Sequence, residues 1–148
     1  MCYTVLLSTS SAIDLEQYNS ELVTFSNDFS ASQATEKLSY QHKWQVGSKS
    51  GCSCTFRHLH STELGFGTPV DWFPEEADEI SATLQFIKII RALVANGAEV
   101  DCIDSWESSN KKTTLEELNV DLAQISDEEF RFFENYHFIF NCSTGLKR

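Results

Sequence analysis

Residues 74–96 carry an apolar surface too wide to be left in water, and any fold open to this chain must be built around covering it. At 100° per residue, Ile80, Leu84, Phe86, Ile87, Ile89, Ile90, Leu93 and Val94 fill an arc of roughly 220°, about twice the stripe of an ordinary surface helix. The spacing predicts one long, largely buried helix. Its ends are marked: Pro74 suits a first turn, Glu75, Glu76 and Asp78 complement the positive end of the dipole, and Asn96-Gly97 supplies a left-handed stop. Each large aliphatic or aromatic side chain buried here stabilises by about 1.5 to 3 kcal/mol before ordering entropy is charged. Arg91 falls inside the arc near the carboxyl end. It is expected to run its stem along the apolar surface into water, or else to pair with Asp101 or Asp104 in the following element.

Short alternating segments surround this helix. Residues 2–8 place Tyr3, Val5 and Leu7 on one face with Thr4 and Leu6 on the other, a strand to be covered on both sides. Further strands are expected at residues 21–26, 43–46, 99–106, 118–122 and 136–141. The 99–106 strand puts Cys102 and Asp104 on one face. Ser126 with Glu129 forms a capping box that predicts a short helix to Glu134. His137, on the final strand, is read as outward-facing, and Trp72 as packed over the helix entrance beside Asp71 and Glu75. The sum is an α+β architecture, a single domain over residues 1–148, with a mixed or antiparallel sheet packed against one long central helix. A chain of 148 residues buries enough surface to fold without metal or disulfides.

Charge divides the chain unevenly. Residues 37–62 hold Lys37, Lys43, Lys49 and Arg57 with no Asp or Glu, a local +4. That leaves −15 on the remainder of a chain whose net charge is −11. So acidic a protein is a poor partner for nucleic acid, which is bound through clustered Lys and Arg. No leader with a basic start is present, and Lys88 and Arg91 interrupt the longest apolar stretch, so a cytoplasmic protein without a membrane span is expected. Five cysteines, an odd number, fit free thiols or ligands better than a disulfide framework.

The chemistry concentrates in G-C-S-C-T-F-R-H-L-H, residues 51–60, expected as a loop at one edge of the sheet. Cys52 and Cys54 lie in a Gly/Ser-rich bend with Lys49, Arg57 and His58 close in sequence. Neighbouring cations lower a thiol pKa and raise its thiolate fraction. The leading expectation is therefore a cysteine/histidine thiol site that binds or reacts with a small anionic ligand. In it Cys54 is the nucleophile, Cys52 a second thiol and His58 the base, with Arg57 and Lys49 facing the anion. The first alternative is a metal site, zinc being the natural ion, held by Cys52, Cys54 and His58 with Cys102 from the strand after the long helix. Against it stands the absence of any C-x-x-C pair. The second alternative is a non-catalytic interaction protein whose cysteines are structural.

Overall fold

The computed structural model describes residues 3–27, 36–48, 55–59, 65–68, 70–72, 75–106 and 115–142. The long helix, α1, spans Ala77–Ala95. Glu76 stands at its N-cap and donates its backbone N–H to Glu79 Oε1 at 3.0 Å, while Gly97 with φ 92° makes the left-handed stop. Its buried side chains are Ala82, Thr83, Phe86, Ile87, Ile89, Ile90 and Leu93. Ile80, Leu84 and Val94 at the margins of the apolar arc are only half-buried, so one broad face of the helix is covered rather than its whole circumference.

That face lies on a six-stranded sheet. The strands are β1 (Tyr3–Thr9), β2 (Val23–Ser26), β3 (His42–Ser48), β5 (Val100–Trp106), β6 (Glu116–Asp121) and β8 (Tyr136–Asn141), in the spatial order β2-β3-β1-β5-β8-β6. All neighbours are antiparallel except β6 and β8, which run parallel, so the sheet is mixed. The register sets Trp44, Leu7, Cys102, Phe138 and Leu118 in one row across five strands. This row faces α1, and around it Phe56, Phe86, Phe130, Phe132 and Phe138 pack with ring centroids 5.1 to 6.3 Å apart.

A parallel pair cannot be joined by a tight hairpin, and the crossover from β6 to β8 explains the second, smaller sheet. Residues 122–135 leave the main sheet, make a 3-10 turn at Asp127–Glu129, and lay β7 (Phe132–Phe133) parallel to β4 (His58–Leu59). The helix expected through Glu134 is thus reduced to a single turn. Its start is as predicted, with Ser126 N–H donating to Glu129 Oε1 at 2.8 Å. The chain then extends because Phe130, Phe132 and Phe133 all enter the core and Phe132 N–H donates to Arg57 O at 2.8 Å. Asn135, in a left-handed conformation at φ 61°, turns the chain into β8, and its N–H donates to Asp104 O at 2.7 Å.

The opposite face of the sheet is not solvent. Leu6 and Ile103 form a small second cluster with Leu38, and Leu115 packs against it. As a result β5 is buried on both sides, with Val100, Asp101, Cys102, Ile103 and Asp104 all inaccessible. Among the described residues no helix is long and apolar enough to cross a membrane.

Candidate functional site

Two carboxylates three residues apart on β5, Asp101 and Asp104, are taken into the interior on opposite faces of the sheet, and each is met by a histidine. Asp104 shares the α1 face with Cys102. The short strand β4 runs over this part of the sheet and brings His58 Nδ1 to 2.8 Å from Asp104 Oδ2, with the imidazole side chain 4% exposed. Phe132 stacks on the imidazole at a centroid distance of 5.4 Å, and Phe56 meets it edge-on at 6.3 Å. The described part of the segment expected at the edge of the sheet, residues 55–59, therefore reaches its middle. Among the described residues Asp104 Oδ1 has no hydrogen-bond partner. Burial pushes the Asp104 carboxyl above its usual range; the imidazole of His58 opposes that and the charge of Glu134 adds to it.

Asp101 is held in the contrary way. Its Oδ1 accepts from Ser8 Oγ, and its Oδ2 accepts from Ser39 N–H at 2.9 Å and from His137 Nε2 at 2.6 Å. Burial would raise its pKa, but these three donors, His137 through its charge as well as its hydrogen bond, outweigh burial and hold the carboxyl below its ordinary value. His137 corrects an expectation: it points inward and is buried, because the face assigned to solvent is roofed by residues 36–40.

Arg57 is placed inside the protein, 2% exposed, with all five N–H groups directed at protein acceptors. Nε and Nη2 grip Glu75 Oε2 and Oε1 at 2.8 and 2.9 Å, Nη1 donates to the carbonyls of Glu128 and Phe130, and Nη2 also donates to Gly67 O. The anion that Arg57 faces is thus a side chain of its own protein. Arg131 shares it, Nη2 lying 3.1 Å from Glu75 Oε1, while its Nη1 and Nη2 donate to Gly65 O and Thr68 O. Burial would raise the Glu75 carboxyl; the two guanidiniums outweigh it and keep it below the usual range. Sequence reasoning passed over Arg131, although a cation inside the run Phe130 to Phe133 is itself a signal of a buried, paired guanidinium.

Of the remaining expected site residues, Lys49, Cys52 and Cys54 lie outside the described residues. Cys102 is described and is a free, fully buried thiol, its pKa raised well above the ordinary value by burial and by the charges of Asp101 and Asp104. A thiol so placed is a poor nucleophile and a poor thiolate ligand. No group of three or more His, Cys, Asp or Glu side chains suited to a metal ion is present among the described residues. Arg91 pairs with neither Asp101 nor Asp104. Its Nε donates to Asp127 Oδ1 at 2.8 Å and its Nη1 and Nη2 to Leu122 O and Ile125 O, fastening the crossover to α1. Trp72, expected over the helix entrance, is instead 75% exposed, while Glu75 turns inward to the arginines.

What the arrangement offers chemically is a histidine whose Nδ1 is held by a buried carboxylate, four residues after a cysteine. Comparison with protein-family models, curated proteins and solved structures finds no match for this chain.

Proposed function

We propose that the protein carries a cysteine–histidine thiol site that binds or reacts with a small anionic ligand, with His58 as the base and Cys54 as the thiol it serves. The observation that carries the reading is the 2.8 Å contact between His58 Nδ1 and Asp104 Oδ2. A carboxylate at Nδ1 fixes the ring and favours the tautomer whose Nε2 lone pair takes up a proton, the orienting role a third group plays for a nucleophile and its base. In the proposed step the Cys54 thiol gives its proton to Nε2. The result is a thiolate beside an imidazolium whose Nδ1–H stays on Asp104.

Arg57 has no part in ligand binding, its donors being occupied by Glu75 and carbonyl groups. Lys49 is the cation assigned to the ligand, and Cys52 is the second thiol.

Iodoacetamide labelling as a function of pH, resolved by peptide mapping, tests this. Cys54 is expected to react with an apparent pKa clearly below the reference of about 8.5, and His58→Gln to return it to an ordinary value. Labelling that is uniformly slow, with the same pH dependence in both proteins, rules the site out. The Cys54→Ser protein separates its signal from that of Cys52.

A further inference from the structure

Residues 36–41 cross the face of the sheet opposite α1 without joining it as a strand. Two features hold them there. Leu38 is the single buried side chain of the segment and packs on Leu6 and Ile103. The backbone N–H groups of Ser39 and Tyr40 donate to Asp101 Oδ2 at 2.9 Å and to Ser8 Oγ at 3.1 Å, and Ser8 Oγ in turn donates to Asp101 Oδ1. Glu36, Lys37, Ser39 and Gln41 are exposed. Among the described residues the attachment is thus one buried aliphatic side chain and two amides. Both amides end, directly or through Ser8, on one carboxylate that His137 also grips.

We propose that residues 36–41 form a strap that opens as a unit, independently of the sheet beneath it, with Asp101 as its latch. The contrast in packing carries the inference. Among the described residues the α1 face encloses a continuous core of more than twenty buried apolar side chains, whereas the buried cluster under the strap consists of Leu6, Leu38 and Ile103, with half-buried Leu115 against it. Segments with few buried apolar contacts and peripheral hydrogen bonds open at lower free energy than the core they lie on. Opening breaks no strand pairing, since the first paired residue, His42, begins β3 beyond the strap. It uncovers Leu6 and Ile103 beside the Asp101 carboxylate and the His137 imidazole, a mixed apolar and polar surface that is closed when the strap is down. This device lies on the face away from His58 and is independent of the thiol site.

Amide hydrogen exchange on the intact chain tests the proposal. In the wild-type protein the Ser39 and Tyr40 amides are expected to exchange at rates nearly insensitive to low urea, while the Ile103 and Leu7 amides exchange slowly in its absence and at rates that rise steeply with urea. Asp101→Asn leaves one oxygen where two receive three donors, and should speed exchange at Ser39 and Tyr40 at least tenfold with little change at Ile103. The proposal is overturned if the strap amides follow the same urea dependence as Ile103 in the wild type, or if Asp101→Asn accelerates both sets equally. The wild-type arm decides the matter even where the variant folds poorly.

Discussion

Replacing Glu75 with Gln isolates the charge that two buried arginines share. The substitution keeps the length and shape of the side chain, but it removes the only carboxylate that Arg57 and Arg131 touch among the described residues and turns an amide N–H₂ toward one of them. Glu75 accepts three charge-assisted hydrogen bonds, at 2.8, 2.9 and 3.1 Å, in a site where all three side chains are at most 4% exposed. Water cannot replace the lost charge there. Breaking a buried ion pair by removing one partner costs about 3 to 5 kcal/mol, a large share of the roughly 5 to 15 kcal/mol that stabilises a domain. For a chain of this size that corresponds to a fall in Tm of about 6 to 20 °C. Urea unfolding followed by far-UV circular dichroism is the assay, with an unchanged m-value showing that stability and not compactness has moved. Arg131→Met in the Glu75→Gln background removes one surplus cation, so the double variant should lose clearly less than the sum of the singles. A Glu75→Gln protein within about 1 kcal/mol of wild type refutes the reasoning, because an exposed pair is worth no more than that.

Other outcomes follow from the two carboxylates of β5 and from the thiols. Asp104, whose pKa is raised by burial, is a group whose favourable contribution is complete below the unfolded value of about 4 and is lost as pH rises through its folded value. Asp104→Asn is therefore expected to be as stable as wild type at pH 7, within about 1 kcal/mol, or more stable, and a loss of 3 kcal/mol in urea unfolding contradicts this. Asp101, whose pKa is lowered, contributes stability that is complete above about 4 and is lost as pH falls through its folded value. Calorimetry between pH 5 and pH 2 should show an acid loss in wild type that is smaller in Asp101→Asn. Cys142 is exposed and should react with a thiol reagent in the native state, while buried Cys102 should react only at the rate of unfolding under urea. Fast native labelling of Cys102 contradicts its placement.

The long helix and the strands of the main sheet were legible because their periods repeat over enough residues: 3.6 along residues 77–95, and 2 along β1, β5 and β8. The two strands of the small sheet have two residues each and carry no period at all. At Ser126 a genuine cap was visible, yet a cap says where a helix begins and not how far tertiary contacts let it run. His137 was misplaced because alternation reports which residues share a face and not whether that face is roofed, and its roof comes from residues 36–41, far away in sequence. The reading of residues 51–60 gathered cations by sequence distance. In space the positive charge of Arg57 is cancelled by Glu75, eighteen residues on. His58 was visible as a candidate, but its partner stands 46 residues away on another strand, a pairing that no local pattern encodes.

The account rests on Asp104 accepting a proton-bearing Nδ1 from His58, and the most direct measurement is the protonation of the His58 ring nitrogens by ¹⁵N NMR near pH 7. Nδ1 is expected to carry hydrogen, either as the neutral Nδ1–H tautomer or as an imidazolium opposite a thiolate, and Asp104→Asn should alter that signature. A neutral ring with hydrogen on Nε2 and a bare Nδ1 contradicts the account, because the basic lone pair of such a ring faces Asp104 and Nε2 has none with which to take the proton of a thiol.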